Sequence, residues 1–239
     1  MALRNDQGIV LRSYPFGEAD RVVVLLSPSH GKIRAVAKGV RKTTSRFGGR
    51  LEPFTQVDLV LYEGRGLGII TQVSVIEAFP HLRGDLERLL AAGTMAEVID
   101  AVTEEGEGSA RAFLLLHRGL HALEAGPRHP DLMTAFLLKV ADVVGVAPAL
   151  DECAGCGTRE GVTRFSFAAG GALCPRCRTP AAVALRAGLT AYLARLAAAD
   201  LSDLPPPDPS FSGEAMGVTR RFLEYHLDRR LESLASADV

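Results

Sequence analysis

Hydrophobic and β-branched residues in the first eighty positions fall into five short runs separated by turn residues. The runs cover residues 8–14, 21–26, 32–38, 56–62 and 69–76. Apolar and polar residues alternate well in the fourth run and imperfectly after Arg34 in the third; such alternation is typical of strands with one buried face. Five short strands without an intervening helical pattern predict a small β-barrel. An OB barrel, which commonly binds single-stranded nucleic acid, and an SH3-like barrel both fit this pattern.

After Pro80 the apolar spacing changes to three or four residues, which indicates α-helices. The predicted helices cover residues 82–102, 110–125, 130–144, 181–199 and 213–234. The proline-rich residues 204–209 predict an extended connector. Most apolar positions in these helices are interpreted as core of a helical bundle. His117, His121 and His226 are interpreted as surface or core histidines rather than as ligands.

These patterns predict an α+β protein in three parts. Residues 1–80 are expected to form an N-terminal β-barrel, for which the OB fold is the leading expectation and an SH3-like barrel the competing one. Residues 81–150 and 181–239 form an all-helical domain, and residues 151–180 form an inserted zinc-finger module with four cysteine ligands. A chain of 239 residues is long enough for two modest domains. The N-terminal residues lack the apolar core of a signal peptide, and no apolar run is long enough to span a bilayer, so we expect a cytoplasmic protein.

Charge is distributed unevenly along the chain. The formal net charge is -1, yet residues 1–80 contain 11 Lys and Arg against 7 Asp and Glu, and residues 21–51 contain no acidic residue. Such a basic region favours an anionic partner. Seven cations of the barrel and of its longest loop are the candidates to bind the phosphates of a nucleic acid, which the OB pattern favours as the partner: Lys32, Arg34, Lys38, Arg41, Lys42, Arg46 and Arg50.

Other residues of the barrel are weaker candidates for the DNA interface. Arg21 and Arg65 are isolated cations. Phe47, Phe54 and Tyr62 could stack on a base, but aromatic residues make up only 6% of the chain and most belong in cores. We therefore expect base stacking to be a minor contribution and sequence specificity to be low.

All four cysteines lie in two Cys-x-x-Cys motifs separated by seventeen residues: Cys153, Cys156, Cys174 and Cys177. Two such knuckles facing each other form a tetrahedral Zn²⁺ site, and two disulfides are disfavoured in the cytoplasm. Zinc sites made of four cysteines are closed, so we predict one structural zinc ion per chain rather than a catalytic one. Direct DNA contact by this module is the minority interpretation.

No catalytic motif is present. The sequence contains no HExxH, no Walker lysine loop and no Ser-His-Asp order, and no His-x-Glu precedes either knuckle as in zinc deaminases. The glycines of residues 64–68 join two predicted strands, unlike those of a dinucleotide-binding turn. We therefore expect a protein that is not an enzyme.

Several short motifs, in this order, resemble the RecO family of recombination mediators. In the N-terminal part these are GIVL at residues 8–11, GEAD at 17–20, Gly31, VAKGVRK at 36–42 and LEPF at 51–54. Further on, GVAPAL at residues 145–150 precedes the cysteines, and Gly157, Phe165, Gly170 and Gly171 lie between them. The resemblance covers residues 8 to about 180; the last sixty residues match only in being helical.

The resemblance implies a bacterial, nucleoid-associated DNA-repair protein of the RecFOR pathway. Such proteins bind single- and double-stranded DNA, anneal complementary strands and, with RecR, help load RecA onto DNA coated by single-strand-binding protein. They also bind the acidic C-terminal tail of that coating protein. Three alternatives stay open. The first is a zinc-stabilised adaptor whose basic loop binds an acidic protein tail, the second is an RNA-binding protein without annealing activity, and the third is a metal-dependent enzyme with catalytic residues outside the cysteine site.

Overall fold

The N-terminal part of the chain is a five-stranded sheet closed on itself. The computed structural model describes residues 2–64 and 66–235. The strands are β1 (Ala2–Phe16), β2 (Asp20–Ser27), β3 (Gly31–Ala37), β4 (Gln56–Glu63) and β5 (Gly68–Glu77). All five predicted strands are thus present. They form a closed barrel in the order β1-β2-β3-β5-β4.

The long first strand makes closure possible because its two halves pair with different neighbours. Residues 2–9 of β1 lie antiparallel to β4, whereas residues 9–16 lie antiparallel to β2. The register shifts between Val10 and Arg12, where the strand changes partner, as expected for a bulge at a bend. The opposite edge closes by a short parallel pairing of β3 with β5, at Ala35 opposite Gly68 and Val36 opposite Ile69.

Helices follow the barrel. Three of them, α1 (Pro80–Gly84), α2 (Leu86–Val102) and α3 (Ala110–Ala125), belong with the barrel to one compact unit, residues 1–125. The predicted helix 82–102 is interrupted because Asp85 has an extended backbone and caps α2, accepting hydrogen bonds from the amides of Glu87 and Arg88. The domain boundaries expected at residues 80, 150 and 180 stay a prediction.

The second compact unit covers residues 126–239. Its elements are α4 (Leu132–Val143), β6 (Arg164–Ser166), β7 (Gly171–Leu173), β8 (Val183–Ala184), α5 (Leu189–Ala198), α6 (Pro209–Leu227) and α7 (Glu232–Ala235). The strands form a small sheet in the order β7-β6-β8. An α+β protein with an N-terminal sheet and C-terminal helices is therefore confirmed.

The boundaries of two helices predicted for this unit are wrong. The helix predicted at residues 181–199 begins only at Leu189, because residues 183–184 pair with β6 and Gly188, with a φ of 90°, separates the two elements. The helix predicted at 213–234 begins earlier, at Pro209 after the N-cap Asp208, and ends where Asp228 adopts a left-handed backbone. Within the described residues, no helix combines the length and apolar character needed to cross a membrane.

Candidate nucleic-acid interface and metal centre

The basic segment predicted to bind DNA lies in the connector between β3 and β4, residues 38–55, here called the basic connector. Phe47 within it is only 1% exposed, and both Phe47 and Leu51 belong to the hydrophobic core of the barrel. Residues 48–51 form a single turn of 3₁₀ helix that begins directly after Phe47 and ends at Leu51. Burying these two apolar side chains offsets the entropic cost of ordering a glycine-rich, positively charged segment.

The start of the basic connector is tied to the turn between β1 and β2. The amide of Gly39 donates to Asp20 Oδ1 at 2.7 Å, and the amide of Arg41 donates to the carbonyl of Ala19 at 3.0 Å. A hydrogen bond to a charged acceptor is stronger than a neutral one. The chain around Lys38–Lys42 is therefore held at one defined place beside the barrel.

Five predicted DNA-binding side chains on this connector are at least partly exposed: Lys38, Arg41, Lys42, Arg46 and Arg50. The Arg46 guanidinium lies 5.0 Å from the centre of the Phe47 ring, and Arg50 Nη1 donates to the Arg46 carbonyl at 2.7 Å. Among residues 2–64 and 66–235, no carboxylate is within 4.0 Å of any of the five. Their charges are thus not neutralised by the described part of the chain.

The two predicted DNA-binding residues on β3 have a different environment. The Lys32 side chain is 17% exposed, and its Nζ lies 2.9 Å from Asp100 Oδ1 and 2.6 Å from the Asp100 carbonyl. Arg34 Nε lies 2.6 Å from Glu105 Oε1, and the hydrogen bond with Glu105 raises the pKa of Arg34. Both cations are therefore already engaged by carboxylates.

Asp100 holds two cations of the barrel at once. Arg12 Nε lies 2.8 Å from its second oxygen, Oδ2. Burial opposes ionisation of Asp100, but the hydrogen bonds from Arg12 and Lys32 outweigh it and lower the pKa of the carboxyl group. This ionised Asp100 fixes Lys32 toward α2 rather than toward an external phosphate.

The suggestion that Phe47 or Phe54 stacks on a base is wrong, because both side chains are buried. Tyr62 is partly buried. Among the weaker cations, Arg21 is partly buried and donates to Ser13 Oγ at 3.1 Å, and Arg65 lies outside the described residues. The candidate interface therefore keeps its exposed cations, whereas Phe47 and Phe54 are not available to stack on a base.

The two Cys-x-x-Cys motifs come together in the second unit. The sulfurs of Cys153, Cys156, Cys174 and Cys177 all lie within 4.8 Å of one another, and Cys156 Sγ is 3.8 Å from Cys174 Sγ. A tetrahedral site with four Zn–S bonds of about 2.3 Å has sulfurs about 3.8 Å apart. The spacing is too long for a disulfide bond, whose S–S length is about 2.05 Å. The donor set therefore fits Zn²⁺.

Local backbone geometry shapes each knuckle. The amide of Gly157, with a φ of 73°, donates to the Cys153 carbonyl at 2.8 Å, and the amide of Cys177 donates to the Cys174 carbonyl at 3.1 Å. A Cβ on Gly155 would lie 3.2 Å from Cys177 Sγ, tighter than ordinary contact. Glycine at this position lets the first knuckle approach the second.

The thiols of this cluster differ in how readily they ionise. The amide of Cys174 donates to Cys153 Sγ at 3.3 Å and lowers the pKa of that thiol to about 6. The hydrogen bond with Cys156 and the burial of the sulfur raise the pKa of Cys177 to about 12. Four thiolates at this separation repel one another and require a cation between them.

A second cluster of side chains that could ligate a metal contains two of the histidines that the sequence analysis interpreted as surface or core residues. Glu77, at the end of β5, lies against His117 and His121 on α3, and the ligand atoms of the three residues are within 4.8 Å of one another. The spacing of four residues between the histidines was visible in the sequence. The carboxylate is 40 residues away from the nearer one, so only the fold brings it to the pair.

Comparison with known proteins identifies the family. Residues 1–79 match the family model described as recombination protein O N terminal, and residues 83–235 match recombination protein O C terminal. The curated DNA repair protein RecO of Nocardioides sp. is 44% identical over 239 residues, and that of Frankia casuarinae is 42% identical over 237 residues. Each alignment covers 98% of both chains. The order of the barrel, helices and cysteine module, together with these matches, shows that the chain belongs to the RecO family.

Proposed function

We propose that the protein is a DNA-binding recombination mediator of recombinational repair, without enzymatic activity. In this proposal the basic connector binds the sugar-phosphate backbone of single- and double-stranded DNA. The protein anneals complementary strands and, with RecR, helps load RecA on DNA coated by single-strand-binding protein, whose C-terminal tail it contacts. Family membership supports the role in recombinational repair.

The strand order supports assignment of the barrel to the OB class. A five-stranded barrel in which the first strand pairs with both the second and the fourth, and the third pairs with the fifth, has the connectivity expected of a Greek-key barrel of this type. OB barrels commonly bind single-stranded nucleic acid on a basic face. The basic connector, which leaves β3 and returns to β4, supplies that face in our proposal.

One observation carries the DNA-binding proposal. Five solvent-accessible cations lie on a connector that is anchored to the barrel by the buried side chains of Phe47 and Leu51. Anchoring by Phe47 and Leu51 means that little further ordering of the chain is needed when a polyanion binds. Cations that contact phosphates release condensed counterions, which gives affinity without sequence preference. Annealing needs this kind of contact, because phosphate repulsion must be screened while the bases stay available.

We propose that the cysteine cluster holds one structural Zn²⁺ ion. Cys153, Cys156, Cys174 and Cys177 would be its ligands, which gives a closed tetrahedral site with no position for substrate. The ion neutralises the repulsion among the thiolates and holds the two knuckles together. Its role in the proposal is to stabilise the second unit rather than to take part in chemistry.

The decisive experiment measures DNA binding by the double variant Arg41→Ala/Lys42→Ala. We expect binding of a single-stranded oligonucleotide to weaken by about 1–3 kcal/mol at moderate salt, the scale of two charge-assisted hydrogen bonds. The log–log salt dependence should also lose roughly one unit of slope per lost phosphate contact. Fluorescence anisotropy across a salt series measures both quantities.

Two controls make this experiment specific. Arg118→Ala removes an exposed cation from α3, away from the basic connector in sequence, and should leave affinity and slope unchanged. Lys32→Ala should change DNA binding less than Lys42→Ala, because Lys32 is already engaged by Asp100. Unchanged affinity and salt slope in the double variant would refute the basic connector as the DNA site.

A further inference from the structure

Glu77, His117 and His121 form a compact group in the first unit, separate in sequence from the cysteine cluster. Glu77 is the last residue of β5, and the two histidines lie one helical turn apart on α3. Residues four apart on a helix point to the same side, so both imidazoles face the end of the strand. Histidine pairs of this spacing on a helix, completed by a carboxylate, are a common way to bind a transition metal.

The contacts within the group are directed at one atom. His117 Nε2 is 3.1 Å and His121 Nε2 is 3.0 Å from the same carboxylate oxygen, Glu77 Oε2. Metal–ligand bonds of about 2.1 Å place neighbouring ligand atoms roughly 3.0–3.4 Å apart, depending on coordination geometry. Both histidine–carboxylate distances are therefore close to the separation that a bound ion would impose, and the distance between the two histidine ligand atoms is within 4.8 Å.

Other histidine–carboxylate contacts in the described residues have a different form. His30 contacts Asp6 and His81 contacts Glu124, each through Nδ1 and each with one histidine for one carboxylate. At Glu77 two imidazoles share one oxygen through Nε2. Apart from the four cysteines, this is the one group of three potential ligands found in the part of the chain that the structure describes.

Aromatic neighbours fix the orientation of both imidazoles. The ring of Phe79 packs edge-on against His121, with centroids 5.3 Å apart, and that of Phe113 stacks on His117 at 6.3 Å. Phe79 and Phe113 are themselves buried. Ligands held by packing lose less rotamer freedom on binding, so the site is largely preorganised.

The group is also accessible to an ion from solution. The side chains of Glu77, His117 and His121 are 31%, 28% and 44% exposed. Three protein ligands at the surface leave at least one coordination position for water. Such a set resembles an open three-ligand site rather than the closed cysteine cluster.

We propose that Glu77, His117 and His121 bind a second divalent first-row transition-metal ion, with Zn²⁺ as the first candidate. Imidazole and carboxylate ligands suit such an ion without any thiolate. The ion would join α3 to the end of β5, and so link the helical part of the first unit to the last strand of its barrel.

The test uses the full-length protein with its cysteine site loaded with zinc. Isothermal titration with additional Zn²⁺ should show a second ion per chain in the wild type. His121→Asn and Glu77→Gln should each weaken this second binding by at least about tenfold, and both should keep the first ion. His81→Asn is the matched control, because His81 is a highly exposed histidine outside the group, and it should bind the second ion as the wild type does.

Co²⁺ provides an independent readout. Added to the zinc-loaded protein, it should give a d–d spectrum without the sulfur charge-transfer bands of a cysteine site. In Glu77→Gln the same spectrum should require a Co²⁺ concentration at least about tenfold higher. Circular dichroism checks that each variant is folded; Glu77→Gln keeps the shape of the side chain. No second ion at micromolar free Zn²⁺, or equal second-site affinity in the wild type and both ligand variants, would overturn the proposal.

Discussion

The basic connector and the cysteine module are both short, irregular segments, yet different forces hold them. The basic connector is anchored by Phe47 and Leu51 in the core of the barrel and by the Asp20 carboxylate at its start. The cysteine module, here taken as residues 150–184, has three short strands and a small buried cluster of Cys153, Leu173, Cys174 and Ala182. The basic connector is held by apolar burial in the barrel core. The cysteine module also has an apolar contact, Phe165 against Phe222 of α6 with ring centroids 5.7 Å apart, but its two knuckles need a cross-link, which in our proposal is Zn²⁺.

Removing the cross-link should produce the largest effect. We expect Cys153→Ser to lose the zinc of the cysteine site and to unfold residues 150–184, because small metal modules gain most of their folding free energy from the ion. Metal analysis together with hydrogen exchange followed by mass spectrometry measures both. Exchange in the barrel strands should not change. A variant that loses its zinc but keeps slow exchange in the module would show that the ion is dispensable for the fold.

Removing the apolar anchor should have the next largest effect. Phe47→Ala creates a cavity in the barrel core and should destabilise the protein by about 3–5 kcal/mol in urea unfolding. DNA affinity should also fall although no charge is lost, because the five cations are no longer held in place. Phe47→Leu, which keeps most of the buried volume, is the control and should cost clearly less. Equal DNA affinity in a folded Phe47→Ala protein would mean that anchoring does not matter for binding.

The smallest effect concerns the hydrogen bond at the start of the basic connector. Asp20→Ala removes the acceptor of the Gly39 amide and should cost about 1–2 kcal/mol. Asp20→Asn keeps an oxygen acceptor while removing the charge, so the difference between the two variants isolates the hydrogen bond. Amide exchange at Gly39 is the direct measurement. Identical exchange in the wild type and Asp20→Ala would show that this contact does not hold the connector.

Structural features that depend on residues close together in the sequence could be predicted, whereas contacts between residues far apart in the sequence could not. Runs of β-branched and apolar residues between turn residues located all five barrel strands, and the spacing of Cys153, Cys156, Cys174 and Cys177 was enough to predict one cluster. Lys32 and Asp100, by contrast, are 68 residues apart, so a chain without a known fold gives no sign that the lysine is engaged. For the same reason, the sequence does not reveal that Glu77 lies beside His117 and His121.

Phe47 illustrates a further limit. It lies among glycines and cations, and its neighbours in the sequence indicate an exposed loop. Its burial follows from closure of the barrel, whose interior is filled by apolar side chains that include Phe47. The local sequence pattern therefore predicted a positively charged connector, but it did not predict that Phe47 anchors this connector in the barrel core.

The short seam between β3 and β5 has a consequence for how the barrel moves. Two neighbouring residue pairs, at Ala35 and Val36, close the cylinder there, and β3 ends at Ala37, directly before the basic connector. Because the parallel pairing of β3 with β5 spans only two residue pairs, it is the weakest strand pairing of the barrel. Thermal fluctuations should therefore separate β3 from β5 before any other pair of neighbouring strands. A polyanion bound at Lys38 would lie next to this strand pairing. Separation of β3 from β5 would then widen the barrel beside the bound polyanion.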